Sequence, residues 1–145
     1  MEVPMYRVTM LALLSLGSLQ LLHAQEQPVS PGSTKESSIE VCDPAGERAY
    51  LGRLICKDDS HPQFKRLGSV GMRQDLPPNL SEDAMADALM SSMGGEKIKP
   101  GELDHHTVDS YSVECGSDKT VLFLDMYHCD AAAPQEAPAG FRLMN

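Results

Sequence analysis

The sequence predicts an α+β fold, a small antiparallel sheet packed by one helix and stapled by disulfides. Three observations predict it. The chain has four cysteines, Cys42, Cys56, Cys115 and Cys129, an even number behind a leader of export type. Residues 81–93 carry an apolar stripe at helical spacing, Met85, Ala88, Leu89 and Met93. Residues 107–115 and 120–129 alternate in the manner of strands and flank the turn-rich Gly116-Ser117-Asp118-Lys119. Segregated helix and hairpin patterns favour α+β over a parallel α/β fold, for which the chain has too few repeated units.

Residues 1–24 read as a signal peptide. Arg7 supplies the positive charge, residues 8–14 begin an apolar stretch, and Ala24 is the small residue before Gln25. Ser15, Gly17, Ser18 and Gln20 interrupt the stretch, which argues against a membrane anchor. Residues 25–38 hold four serines, two prolines and a glycine and read as a flexible N-terminal segment. Residues 39–145 form a single globular domain by length. The expected location is secreted or periplasmic.

Net charge is −9, and the leader removes one basic and one acidic residue, so the remainder keeps that value. An acidic surface repels phosphate backbones and anionic lipid, and no basic patch offsets it. Nucleic acid is therefore not an expected partner, and no membrane span is expected after signal removal. A protein or peptide partner fits the composition better.

The elements follow in order. Residues 39–42 read as a first strand, and Asp43-Pro44-Ala45-Gly46 as a type I turn. Residues 50–56 read as a second strand with a bulge at Gly52. Residues 61–76 read as a loop with an extended piece at 66–70. The helix at 81–93 is capped by Asn79 with Glu82, or by Ser81, and is ended by Gly94-Gly95. Closing the hairpin over the four-residue loop sets Val113 against Leu122 and Tyr111 against Leu124. Residues 111, 113, 122, 124 and 126 then share a face suited to the helix stripe. Residues 131–145 read as an irregular tail whose Phe141, Leu143 and Met144 dock back.

In this register Cys115 and Cys129 lie at opposite ends of the hairpin, beyond the roughly 7 Å that a disulfide spans. Cys42 and Cys56 must then each cross to the hairpin, in one of two patterns.

No catalytic set stands out. Ser110 and Ser112 lie near histidines, but no nucleophile elbow, carboxylate pair or phosphate-cradling loop is legible. Histidines and a carboxylate gather at the open end of the hairpin, where His105 faces Asp130 and His128 is diagonal to it. His105, His128 and Asp130 are thus candidate ligands for Zn²⁺ or Cu²⁺. The dispersed methionines read as core. The expected function is a non-catalytic exported binding or cell-envelope-associated protein. The alternatives are a secreted enzyme inhibitor presenting residues 57–71, a divalent-metal-binding protein, and a small hydrolase.

Overall fold

The computed structural model describes residues 28–95 and 97–144. The signal peptide expected at 1–24 lies outside the described residues. In chain order the elements are β1 (Ile39–Glu40), α1 (Asp43–Gly52), β2 (Leu54–Ile55), β3 (Gln63–Met72), α2 (Glu82–Ser91), β4 (Thr107–Cys115), β5 (Asp118–Asp125) and β6 (Arg142–Leu143). The α+β class and the disulfide staples hold; the strand and helix counts differ. One sheet has the order β1-β5-β4-β3, with β1 parallel to β5 and the other pairs antiparallel. A second, two-stranded sheet joins β2 to β6.

The expected hairpin is β4–β5, but its turn is shorter. Cys115 pairs with Asp118, so Gly116 and Ser117 alone make the connection, with Gly116 at φ +60°. A two-residue hairpin turn requires positive φ, which glycine supplies without strain. The tighter turn moves every pairing by two residues, giving Tyr111 opposite Leu122 and Val113 opposite Thr120. A two-residue shift preserves which face each side chain occupies. Tyr111, Val113, Leu122 and Leu124 therefore still share a face, and all are buried.

The helix on that face is α1, where the sequence reading placed a turn and a strand. A type I turn has nearly helical dihedrals, so Asp-Pro-Ala-Gly also serves as a helix start. Asp43, at φ +58°, accepts hydrogen bonds at Oδ1 from the backbone N–H of Ala45 (2.7 Å) and Gly46 (3.0 Å). Glu47, Tyr50 and Leu51 then follow at i, i+3 and i+4 along the helix, Leu54 comes just past its end in β2, and all four are buried. The core unites Ile39, Val41, Tyr50, Leu51 and Leu54 with the inner residues of the hairpin, and Met126, Phe141 and Leu143 pack against it. Phe141 and Leu143 dock as the tail reading expects, while Met144 stays exposed.

The segment 61–76, read as mostly loop, contains the ten-residue edge strand β3. Register shifts fall between Arg66 and Gly68 and between Ser69 and Met72. Gly68 and Gly71 there take positive φ, and such bulges break the regular edge that another chain would pair with.

Ser81 caps α2, accepting from the Ala84 backbone N–H at 3.3 Å. The helix buries no residue, and its stripe does not meet the sheet. This corrects the expected helix-on-sheet pairing. Tyr50, Leu51 and Leu54 already cover the face that the stripe was expected to fill.

Residues 28–38 run beside β5 with hydrogen bonds of their own. Gly32 N–H donates to Ser37 O (2.6 Å), and Phe123 N–H donates to Gly32 O (3.0 Å). The disulfides are Cys42–Cys129 and Cys56–Cys115, one of the two crossed patterns that elimination leaves. Both tie the α1 region to the hairpin. Among the described residues, no helix is long and apolar enough to cross a membrane.

Candidate metal centre

Sheet topology brings four strand ends to one edge of the fold. Parallel pairing places the ends of β1 and β5, Glu40 and Asp125, side by side. Antiparallel pairing places the start of β4 and the end of β3 at the same edge. Pairing of the 104–106 stretch with Arg73-Gln74 continues past the strands: Arg73 N–H donates to His106 O (2.8 Å) and Gln74 N–H to Asp104 O (3.0 Å). After Asp125 the chain leaves β5 and bridges to Cys42 through Tyr127, and His128 N–H donates to Val41 O at 3.0 Å. These backbone bonds aim His128 back over the end of β5.

Asp104, His106, Asp125 and His128 each direct a ligand atom into this space, and the four atoms lie within 4.8 Å of one another. His128 Nε2 is 3.0 Å from Asp104 Oδ2 and 3.1 Å from Asp125 Oδ2. His106 Nδ1 lies 3.1 Å from Asp104 Oδ1 yet is buried without a hydrogen bond among the described residues. The His106 ring stacks on Tyr127 and meets His128 edge-on. Asp125 is fully buried and His106 is 3% exposed.

Arg73 closes the cluster. Its Nη1 is 2.6 Å from Glu40 Oε1, 3.0 Å from Asp104 Oδ2 and 3.9 Å from Asp125 Oδ2. Burial alone would raise the Asp104 pKa. The His128 hydrogen bond, the His106 backbone N–H and the two imidazoles outweigh it and hold the carboxyl well below its ordinary range. Hydrogen bonding to Asp104, then to Asp125, pushes His128 up to about 10 against the opposing effect of burial. The His128 ring is thus held between two aspartates, one of which Arg73 shares, and a metal bound there would have to displace the proton that these hydrogen bonds favour.

Of the residues expected from sequence, His128 belongs to this cluster. His105 and Asp130 are not brought to it. His105 Nδ1 sits 2.6 Å from the carbonyl of Gln74, and Asp130 pairs with Lys97 at 3.3 Å. The expected register carried the second strand through Cys129, whereas pairing with β4 ends at Asp125. Asp104, His106 and Asp125 escaped the sequence reading. Their signal was present as Asp104-x-His106 and Asp125-x-x-His128, two acid–imidazole pairs at the ends of neighbouring strands.

The serines near the histidines engage elsewhere: Ser110 Oγ donates to Gly68 O and Ser112 Oγ to Glu114 Oε1. Much of the 57–71 stretch considered for an inhibitor loop is β3. A second buried polar group lies under α1. Tyr111 donates to Glu47 Oε2 at 2.7 Å, while Glu47 Oε1 is buried without a partner among the described residues. Burial, opposed by the Tyr111 hydrogen bond, pushes the Glu47 carboxyl up to about 7. Beside it Asp109 accepts from Arg66 Nε (2.5 Å) and Nη2 (2.7 Å).

Fold and site define a disulfide-stapled α+β domain with a buried aspartate–histidine cluster able to hold a divalent metal such as Zn²⁺ or Cu²⁺. In comparisons with known proteins, no family model, curated protein or solved structure matches the chain.

Proposed function

We propose that this protein binds one divalent transition-metal ion, Zn²⁺ or Cu²⁺, through Asp104, His106, Asp125 and His128, as an exported protein. One observation carries the reading: four nitrogen and oxygen donors from separate parts of the chain converge within 4.8 Å. Tetrahedral Zn²⁺ at about 2.0–2.1 Å sets its ligand atoms roughly 3.3 Å apart. The His128–Asp104 and His128–Asp125 separations of 3.0 and 3.1 Å are close to that spacing. His106 Nδ1 is buried and meets no hydrogen-bond partner in good geometry among the described residues, although Asp104 Oδ1 lies 3.1 Å away. Imidazole with carboxylate suits Zn²⁺ and Cu²⁺ better than Ca²⁺ or Mg²⁺, which prefer all-oxygen shells. A four-ligand buried set favours a structural or carrier role over catalysis, which needs an open position. Export is supported by the leader pattern and by two disulfides, which persist in oxidising compartments.

Calorimetric titration of the metal-stripped, oxidised protein with Zn²⁺ and Cu²⁺ tests this. One saturable site per chain is expected. Asp125→Asn and His128→Ala should weaken it at least a hundredfold, while His105→Ala and Asp130→Asn should leave it intact. Folding of each variant is checked by circular dichroism. Absence of saturable binding by the folded wild type would end the reading, and loss in His105→Ala with retention in Asp125→Asn would move the site.

A further inference from the structure

The helix α2 presents its apolar side to solvent. Met85 is 37% exposed, Leu89 49%, Met90 72% and Met93 60%. On the neighbouring row Ala84 and Ala88 are half-buried and Ser92 is 3% exposed. Positions 84, 88 and 92 form one row, and 85, 89 and 93 form the next, about 100° around the helix. The C-terminal end of α2 is tied to the sheet by the Thr107 N–H, which donates to Ser92 O at 2.9 Å. The large side chains of the row point away from this attachment and are exposed. An isolated ten-residue helix is marginal in water, and a contiguous exposed row of methionine and leucine on it is the kind of surface that marks an interaction site.

The charges around this row select its occupant. Residues 82–91 contain Glu82, Asp83 and Asp87 and no basic residue. None of the three carboxylates makes an ion pair among the described residues, whereas the nearby Lys97 and Lys99 are already paired with Asp130 and Glu102. A second copy of this chain, pairing α2 against α2, would set three carboxylates against three. Anionic lipid is repelled by the same charges and by the net charge of −9. Complementarity remains with an apolar face flanked by Lys or Arg.

We propose that the outward face of α2 docks a basic amphipathic helix of a partner protein. Its apolar residues, at i, i+3, i+4 and i+7, would lie over Met85, Leu89 and Met93, with its cations beside Glu82, Asp83 and Asp87. Unbranched methionine side chains adapt to differing apolar partners, so the face recognises pattern and charge before it recognises a particular sequence. This surface shares no residue with the metal cluster.

The test uses the full oxidised protein and a fluorescently labelled synthetic peptide of 18 residues, with leucine and lysine at helical spacing. Two control peptides have the same composition in scrambled order, or glutamate in place of lysine. Fluorescence anisotropy should give a micromolar Kd for the amphipathic peptide and at least tenfold weaker binding for both controls. Leu89→Asp with Met93→Asp should weaken binding at least tenfold, as should Asp83→Lys with Asp87→Lys. All four positions are exposed, and circular dichroism verifies their folding. Equal binding of the scrambled peptide would reduce the effect to bulk charge and overturn the proposal. So would unchanged binding in both double variants. Concentration-dependent dimerisation abolished by the Leu89→Asp, Met93→Asp pair would assign the face to a second copy, and sedimentation of the protein with phosphatidylserine vesicles would assign it to lipid. Either result overturns the proposal.

Discussion

His128 Nε2 stands 3.0 Å from Asp104 Oδ2 although 24 residues separate the two in the chain. The same nitrogen reaches Asp125 Oδ2 at 3.1 Å. One imidazole thereby joins the approach to β4 with the end of β5, at the edge where β1 and β3 also finish. Arg73 holds Asp104 from the other side at 3.0 Å. The Arg73 guanidinium and the His128 ring thus occupy carboxylate oxygens that a metal would need, and this sets how the site should respond to substitution.

Removing the fixed cation should favour the metal. Arg73 lies within hydrogen-bond reach of Glu40 and Asp104 and repels an incoming divalent ion. Arg73→Met is expected to tighten Zn²⁺ binding at least tenfold, about 1.4 kcal/mol. It should also lower the stability of the metal-free protein by roughly 3 kcal/mol, because buried carboxylates lose their partner. Titration calorimetry and thermal unfolding with and without Zn²⁺ measure both effects. Unchanged or weaker affinity in the folded variant would show that Arg73 does not compete.

Glu47 should make stability depend on pH between its unfolded and folded pKa values. Its carboxyl is raised from 4.5 to about 7 in the folded protein. The native state therefore holds the proton more tightly than the unfolded chain. This contribution is fully present below pH 4.5, declines as pH rises, and is lost above about 7. A difference of this size corresponds to roughly 3 kcal/mol. Glu47→Gln keeps an acceptor for Tyr111 and removes the titration. Relative to the wild type, the variant should gain about that amount between pH 4.5 and pH 8 in urea unfolding. Parallel stability curves for the two proteins would contradict the assignment.

The Cys42–Cys129 bond should matter to both stability and metal binding. It closes a span of 87 residues, for which chain entropy gives about 4–5 kcal/mol. Cys129 follows His128, and His128 N–H is bonded to the carbonyl of Val41 beside Cys42. Replacing Cys42 and Cys129 by Ala should lower unfolding free energy by about that amount and weaken Zn²⁺ binding at least tenfold. Replacing Cys56 and Cys115 by Ala should cost similar stability, since that span is 59 residues, but should spare the metal site. Equal effects on metal affinity would mean that global stability, not the anchoring of His128, is responsible.

How far the sequence reached is clear at particular residues. The α+β class, the β4–β5 hairpin and the crossing of both disulfides from the N-terminal third to the hairpin were legible. The cap of α2 was legible to within two residues, since Ser81 was the alternative to Asn79. These depend on strong local or near-local signals: period-two alternation, capping chemistry, and the distance between Cys115 beside the turn and Cys129 past the far end of β5. The partner of each cysteine was not legible, because both crossed patterns satisfy the same local constraints.

The sequence by itself determined which segments alternate, where α2 begins, and that histidine and aspartate cluster near the ends of one hairpin. Tertiary structure decided which helix covers the sheet. Asp43-Pro44-Ala45-Gly46 is compatible with a turn or a first helical turn, and burial of Tyr50, Leu51 and Leu54 selects the helix. That choice leaves the stronger apolar stripe, on α2, facing outward. Tertiary structure also decided which acids and imidazoles meet. Neighbouring residues of an extended chain point to opposite sides, so of His105 and His106 one enters the cluster and the other bonds the carbonyl of Gln74. The positions of Asp104, Asp125 and Arg73 depend on the ends of four strands coinciding, a long-range relation that no local period encodes.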